Sequence, residues 1–421
     1  MNSTANRMSA REKRVIAVSS AAHFLTHLYI LIFPAIVMPM SREMGLAISD
    51  VFPIGFMMYL LYGALALPAG YLSDRWSKIA MLKVCVFGMS FSAFAASYSS
   101  SVSGFTLSLA MLGLFCGLYH PAGLGLIASE TGKQGAAHGI NGIFGNIGIA
   151  AAPLSSGIIL LTLNWRWAYW IAGLVGLAIL ALIFSLTANQ KLDNNPHLER
   201  SLNKNRDGRL KYFAVLCACI VNAGLIYRAN LTALPSYFEI RASSALETIT
   251  GFTGSGAVDA TSGASAILVS SLFIFSIAGQ YAGGWVADNF DLRKAYFLFH
   301  LASVPFILGM ALSFEIPLYV TAAGMVFFNL GMLPIENSLL SKFIPERWVS
   351  TGYGIKFTLT FGIGSFALYQ VAFLEKLGGL QSVYVALTAQ ALLLASIAAF
   401  LIYFSRSIGR ITNTREDIGD F

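Results

Sequence analysis

Long apolar runs separated by short polar turns dominate this chain of 421 residues. Each run holds about 20 residues, the length that crosses a hydrocarbon core of ~30 Å as a helix. Runs this long and without strict alternation are helices, because a helix satisfies all its backbone groups within one segment in lipid. Twelve spans are predicted, at 15–40, 50–72, 79–98, 104–128, 138–162, 166–188, 212–234, 265–287, 292–313, 316–340, 352–374 and 380–404. The predicted fold class is an all-α membrane protein.

A polar segment divides the chain near its middle. Residues 189–211 carry many charged and amide side chains and lie between the sixth and seventh spans. We therefore expect a six-helix bundle at 1–188, a cytoplasmic linker at 189–211, a second six-helix bundle at 212–405 and a cytoplasmic tail at 406–421. A second polar stretch, 236–263, is rich in Ser, Thr, Ala and Gly. It is predicted to be a loose outer loop rather than a lid over the outer mouth.

Composition excludes a soluble globular protein. Charged residues make up 11% of the chain, hydrophobic residues 56%, and the mean hydropathy is +0.69. With the N-terminus inside, 21 of the 27 basic residues lie in cytoplasmic segments or at the cytoplasmic ends of spans. This positive-inside pattern predicts a multi-pass protein of the cytoplasmic (inner) membrane with both termini in the cytoplasm. It also explains the net charge of +7 without nucleic-acid binding.

Two charged turns repeat each other 214 residues apart. The first contains Gly70, Asp74 and Arg75, and the second contains Gly284 and Asp288. A turn that recurs half a chain later indicates two related halves, as in many membrane transporters. Because such charges can favour one of two transport states, we predict that these five residues form a conformational latch.

Polar groups within the spans are candidate functional residues, because an ionisable side chain in hydrocarbon is costly. Pro121 and Pro334 stand at corresponding places in the two halves, and each removes a helical N–H donor beside such groups. The predicted substrate and proton pathway consists of His23, His27, His120, Asn146, Arg228, Asn329, Glu336 and Lys356.

Several roles remain open for these side chains. His23 and His27 lie one turn apart and suit proton transfer, substrate hydrogen bonding, metal ligation or structural hydrogen bonding; titration near neutral pH favours proton work. No resident metal or other cofactor is expected. Glu336 and Lys356 lie at similar depth and are expected to pair across helices, as a switch or as a static structural pair. The charged residues within the spans have a net positive charge, which favours an anionic or zwitterionic substrate. Aromatic residues in the spans are also compatible with an amphipathic, drug-like substrate.

The chain resembles the major facilitator superfamily over nearly its whole length. The resemblance consists of twelve spans, the 6+6 division and the turn Gly-x-x-x-Asp-Arg/Lys-x-Gly-Arg/Lys-Arg/Lys between spans two and three. Gly70, Asp74, Arg75 and Lys78 fit this turn, and Ser77 replaces its glycine. The resemblance implies a carrier that works by alternating access.

Within that superfamily, three local features look like the fosmidomycin-resistance-type branch. They are the first-helix His-x-x-x-His-x-Tyr, the pair His120-Pro121 and the pair His138-Gly139. The branch implies proton-coupled export. Gly113 and Ala122 stand where an arginine and an acidic residue are expected, so the histidines or Glu336 would have to carry proton coupling.

The expected function is proton-coupled efflux of a small anionic or amphipathic solute. The alternatives are uptake of an organic anion or of a metal or metal chelate, and a transporter-like sensor or scaffold. The sequence has no phosphate-binding P-loop, nucleophile elbow or His-Glu-x-x-His motif, so we expect no enzyme activity. The expected partners are the solute, protons and membrane lipid, without nucleic acid, and the expected state is a monomer.

Overall fold

A computed structural model describes residues 8–131, 134–188, 209–344 and 349–412. Helices make up almost all of these ranges, and no strand occurs in them, so the predicted all-α membrane fold is confirmed. The predicted linker at 189–211 lies almost wholly outside the described residues. The proposed domain boundaries therefore stay predictions.

Eleven described segments are long and apolar enough to span a bilayer, and the last contains two helices. Its backbone breaks at Gly378 and Gly379, and Gly379 has φ +69°, a left-handed value that favours glycine. The spans are α1 (Ala10–Met44), α2 (Ile48–Ser73), α3 (Lys78–Tyr98), α4 (Val102–Glu130), α5 (Gln134–Leu160), α6 (Arg166–Thr187), α7 (Leu210–Arg241), α8 (Ala260–Asn289), α9 (Leu292–Leu312), α10 (Glu315–Phe343), α11 (349–377) and α12 (380–404).

The prediction of a loose loop at 236–263 is wrong. Helix α7 continues to Arg241, a short helix occupies Ser243–Thr253, and α8 begins at Ala260. The carboxylate of Glu315 accepts hydrogen bonds from the backbone N–H groups of Ser244 and Ala245, at 3.1 and 3.3 Å. These bonds satisfy the first turn of the short helix, where unpaired N–H groups are costly. A composition rich in Ser, Thr and Gly concealed a helix that a distant carboxylate caps.

Helices α4 and α10 are each interrupted at corresponding positions. Helix α4 consists of Val102–Gly117 and Tyr119–Glu130, and α10 consists of Glu315–Gly331 and Leu333–Phe343. A proline lies just beyond each break, where its missing N–H cannot complete the preceding turn. The two halves therefore share an irregularity at the depth where their polar side chains cluster.

Glycines allow the halves to pack backbone against backbone along two seams. A Cβ atom placed on Gly63 of α2 would lie 2.0 Å from the backbone nitrogen of Gly362 in α11. In the second seam, a Cβ on Gly157 of α5 or on Gly263 of α8 would lie 2.6 Å from the carbonyl oxygen of the other. Such approach is possible only with small residues and favours close helix association in lipid.

The bundle has two ends, which we name by their turns. The motif face carries the turns α2–α3 and α8–α9 and both described chain ends. The opposite face carries the turns α1–α2 and α7–α8, including the short helix Ser243–Thr253.

Candidate functional site: a histidine cluster, a buried arginine and an ion pair

Three histidines meet inside the first half of the molecule. His23 and His27 lie one turn apart on α1, and His120 lies just after the break in α4. One nitrogen from each ring lies within 4.8 Å of the corresponding atom of the other two. The sequence predicted His23 and His27 on one face and His120 in the same pathway, but helical spacing alone does not predict that the three rings meet.

The ring of His23 is held in a defined orientation. Its Nδ1 lies 2.8 Å from the carbonyl oxygen of Asn141, and Tyr119 stacks on it with ring centroids 4.8 Å apart. Because a carbonyl oxygen only accepts, Nδ1 carries the proton, and Nε2 of the neutral ring has a lone pair. That Nε2 lies 3.1 Å from Nε2 of His27. The backbone of α5 therefore directs an acceptor nitrogen into the cluster.

His120 links the cluster to the second half. Its Nε2 lies 2.7 Å from the hydroxyl of Tyr62, and its ring stacks on Phe357 of α11 with centroids 4.8 Å apart. Its Nδ1 is buried and has no hydrogen-bond partner among the described residues. Phe357 follows Lys356 in the chain, so a movement of α11 would reach His120 through the stacked rings.

Arg228 of α7 lies in the interface between the halves with only 1% of its surface exposed. Its guanidinium carbon is 3.8 Å from the centre of the Tyr59 ring of α2. In the described part of the chain, no hydrogen-bond partner reaches its Nε or Nη1. A cation–π contact offsets part of the cost of burying the charge, but two strong donors remain unsatisfied.

Glu336 and Lys356 form an ion pair within the second half. Their charged atoms are 2.9 Å apart, and both residues are buried. The hydroxyl of Tyr296 donates to Glu336 over 2.7 Å, and Lys356 Nζ donates to the amide oxygen of Asn337 over 2.5 Å. His300 packs edge-on against Tyr296 with ring centroids 4.5 Å apart. These charges are therefore paired and hydrogen-bonded, unlike Arg228.

The two candidate asparagines occupy different settings. The amide of Asn146 on α5 exchanges hydrogen bonds of 3.1 and 3.3 Å with Gln280 on α8, which bridges the halves. Asn329 is partly buried on the part of α10 that precedes its break, whereas Glu336 follows the break.

The predicted latch residues lie at the motif face. A Cβ on Gly70 would lie 3.9 Å from Pro121, and the guanidinium of exposed Arg75 stacks 3.9 Å above the ring of Tyr71. The side chain of Asp74 lies outside the described residues.

In the second copy of the turn, Asp288 is exposed at the end of α8. Nothing lies within 4 Å of a Cβ placed on Gly284, whereas a Cβ on its neighbour Gly283 would meet the carbonyl oxygen of Gly331 on α10. The close packing of α8 on α10 is thus displaced by one residue from the repeated glycine.

A polar network closes the opposite face. Arg42 at the end of α1 contacts Glu239 of α7 at 2.7 Å and Asp259 before α8 at 2.9 Å. It also donates to Ser262 over 2.6 Å. The sequence alone did not single out Arg42, because its partners Glu239 and Asp259 lie about 200 residues away. The acidic residues on either side of the α7–α8 turn, Glu239 and Asp259, were the available signal.

The chain end packs against the second motif turn. Arg293 contacts Asp291 at 2.7 Å and donates to the carbonyl oxygens of Ser405 and Gly409, each over 2.7 Å. The backbone N–H of Ile411 donates to Asp291 over 3.2 Å. Burial opposes the charge on Asp291, but the bonds from Arg293 and Ile411 outweigh it and hold the pKa of this carboxyl below its usual value.

Residues 18–369 match the family model of the Major Facilitator Superfamily. The chain belongs to this superfamily. It is 21% identical over 392 residues to an uncharacterized MFS-type transporter of Bacillus subtilis, YfnC, with 92% of each chain covered. The predicted superfamily is therefore confirmed, and the chain is a multi-pass membrane transporter by family. Its assignment to the fosmidomycin-resistance-type branch stays a prediction.

Two relatives with named roles match smaller parts. The puromycin resistance protein pur8 of Streptomyces alboniger is 28% identical over 30% of this chain and 25% of its own length. The tetracenomycin C resistance and export protein of Streptomyces glaucescens is 31% identical over 33% of this chain and 26% of its own length. The chain thus spans about a quarter of these two relatives.

Solved transporter structures share the whole fold. A bacterial homologue of the lysosomal transporter Spinster, in an inward-facing and occupied conformation, has a TM-score of 0.73 at 13% identity. The match covers 97% of this chain and all of that one. A peptide transporter POT in complex with sulfate has a TM-score of 0.75 at 14% identity, with 96% of each chain covered. At these identities the comparison shows the fold alone.

Proposed function

We propose that this protein is a secondary active transporter that exports a small anionic or amphipathic solute by alternating access, in exchange for protons. The observation that carries this proposal is Arg228, a buried cation with two unsatisfied donors between the halves. A group in this position contacts both halves, so a bound solute interacts differently with it when the halves rearrange. Differential interaction is what lets a ligand shift a conformational equilibrium.

Charge pairing supports an anionic solute. Lys356 neutralises Glu336 at 2.9 Å, which leaves Arg228 as the unpaired fixed charge among the span residues considered as pathway candidates. Guanidinium groups bind carboxylates, phosphates and phosphonates with directed, charge-assisted hydrogen bonds. The aromatic rings of Tyr59 and Phe357 beside the cluster suit an apolar part of the same solute.

The names of two relatives support export. Both the puromycin resistance protein and the tetracenomycin C resistance and export protein align with about a third of this chain. Resistance to a compound is gained when a carrier moves it out of the cell. We therefore propose that the carrier works in the direction of efflux.

His23 and His27 are the proposed proton site. Their Nε2 atoms are 3.1 Å apart, so a second proton on this pair is opposed by the first. Solute binding beside them changes the cost of that proton. Glu336 is the second candidate for proton transfer.

We propose that the motif face is cytoplasmic, with both termini inside and the protein in the inner membrane. The basic residues of the predicted short loops support this orientation. In that orientation, the network of Arg42 closes the outer side of the described conformation. Opening to the outside then requires that this network breaks. In that state the turns of the motif face, which include Gly70, Asp74 and Arg75, keep the inner side closed.

Uptake of an organic anion or a metal chelate is the second candidate function. The observation that favours it is the convergence of three imidazole nitrogens within 4.8 Å, an arrangement that also suits a metal ion. Flux direction in oriented vesicles separates the two candidates.

The test of the export proposal uses purified protein in proteoliposomes with labelled fosmidomycin, an anionic phosphonate, as the probe. We expect wild-type vesicles to accumulate the probe when a pH gradient is imposed. The double variant His23→Gln/His27→Gln should lose accumulation but retain exchange of probe for probe. His138→Gln, which changes a histidine outside the cluster, is the matched control. If the double variant still concentrates the probe against a pH gradient, the two histidines are not the coupling site.

A further inference from the structure

Two histidines of the cluster have the hydrogen-bonding arrangement that is usual for metal ligands. His23 gives its Nδ1 proton to the carbonyl of Asn141, and His120 contacts Tyr62 through Nε2. When His120 donates to Tyr62, its buried and unpartnered Nδ1 carries a lone pair. A hydrogen bond on the far nitrogen is the usual support for a histidine that binds a metal, because it selects the tautomer and orients the ring.

The spacing also suits a metal ion. A tetrahedral ion bound at 2.0–2.1 Å requires ligand nitrogens about 3.3 Å apart. The Nε2 atoms of His23 and His27 are already 3.1 Å apart, and the whole set lies within 4.8 Å. His120 therefore has to approach by about 1.5 Å to complete a tetrahedral set. Imidazole ligands favour late first-row transition metals over magnesium or calcium.

The positive charge of Arg228 indicates that a metal ion at this site would carry anionic ligands. The three imidazoles are neutral as ligands. Arg228 lies near them, because it stacks on Tyr59, one helical turn from the Tyr62 that contacts His120. A bare divalent cation would therefore face an unpaired guanidinium across a buried space, which is unfavourable. Carboxylates attached to the metal remove this repulsion, because they fill its remaining coordination position and accept hydrogen bonds from Arg228.

We propose that the transported solute is an anionic chelate of a late first-row transition metal. His23, His27 and His120 bind the metal, and Arg228 binds a carboxylate of the chelator. This inference rests on the proposed carrier function and names a class for its cargo. It requires no redox or covalent step, only exchange of metal ligands.

The first experiment measures metal binding by purified full-length protein. Cobalt(II) replaces zinc in tetrahedral sites and gives a visible d–d absorption there, so wild-type protein titrated with cobalt should show this band at one equivalent. His23→Gln and His120→Gln should each lose the band, while His138→Gln keeps it. Absence of the band in wild-type protein, or its persistence in either cluster variant, would overturn the metal assignment.

The second experiment measures labelled zinc flux into proteoliposomes with and without citrate as the chelator. Citrate should raise zinc flux about tenfold, the effect of one charge-assisted contact, and Arg228→Gln should lose this increase while keeping the cobalt band. Equal flux of zinc with and without citrate would overturn the chelate assignment. Exchange of labelled fosmidomycin in the same vesicles reports the carrier function separately, so metal binding can fail while that function stands.

Discussion

The polar centres of the two halves are built on opposite principles. In the second half, Glu336 and Lys356 satisfy each other at 2.9 Å, and Tyr296 and Asn337 occupy further hydrogen-bonding positions. At the first-half centre, three imidazoles and the inserted Arg228 leave buried nitrogen atoms without partners. Paired charge stabilises a conformation, whereas unpaired donors and acceptors are available for a solute or proton. We therefore assign a structural or conformational role to the Glu336–Lys356 pair, and solute or proton binding to the histidine cluster with Arg228.

The largest effect is expected from breaking the paired centre. Glu336→Gln should strand the Lys356 ammonium in the interior and lower the free energy of unfolding by about 3–5 kcal/mol. The double variant Glu336→Gln/Lys356→Met removes both charges and should recover most of that loss. Thermal unfolding of the purified variants, compared as a double-mutant cycle, measures the pairing.

The double variant also tests whether the ion pair takes part in proton transfer. If the pair is only structural, the recovered protein transports with an unchanged dependence on the pH gradient. If Glu336 shares in proton transfer, the recovered protein exchanges solute but no longer accumulates it. A single variant as stable as wild type would contradict the paired-centre account.

A smaller effect is expected at the opposite face. Arg42→Ala removes the contacts that join α1 to Glu239 and Asp259 of the other half, so it should favour opening there. Partly exposed ion pairs contribute about 0.2–1 kcal/mol each, which predicts a shift of a few-fold in the conformational equilibrium. Labelling of a cysteine introduced at Leu234, on α7 beneath this network, measures the opening.

Arg166→Ala is the matched control for this prediction. Arg166 contacts Glu43 at the same face, but both residues belong to the first half. Its loss should leave the labelling rate near that of wild type. Equal increases in the two variants would show that the cross-half network does not hold the face closed.

The smallest effect concerns the docked chain end. Because the pKa of Asp291 is lowered in the folded protein, its contribution is present above the usual carboxyl pKa and is lost as the pH falls through the folded value. Residues 405–412 should therefore stay protected from hydrogen exchange at neutral pH and lose protection in acid. Asp291→Asn should release them at neutral pH as well. Protection that is independent of both changes would assign the docking to apolar packing instead.

The sequence predicted more of the fold than of the site. Twelve apolar runs gave the spans, and the repeated turn with its prolines gave the two related breaks. The depth of Glu336 and Lys356 also predicted their proximity. The segment 236–263 was predicted wrongly, because the cap on its helix comes from Glu315, which is distant in sequence.

The parts of the site that the sequence did not predict depend on contacts between helices that are distant in the chain. Helical spacing placed His23 and His27 on one face, but the meeting with His120 depends on the α4 break and on Tyr62 of another helix. Arg228 was identified as a buried charge, yet its contact with Tyr59 requires the packing of the two halves. Arg42 was missed for the same reason, since its partners lie some 200 residues away.

Solute exchange by Arg228→Gln tests directly whether Arg228 binds the transported solute. Proteoliposomes with equal amounts of folded protein should exchange labelled fosmidomycin when wild type, and at least about tenfold more slowly with the variant, since one charge-assisted contact is lost. Arg241→Gln, at a buried arginine near the end of the same helix, should exchange at nearly the wild-type rate. Exchange by Arg228→Gln at the wild-type rate would contradict the assignment of Arg228 as the group that binds the solute.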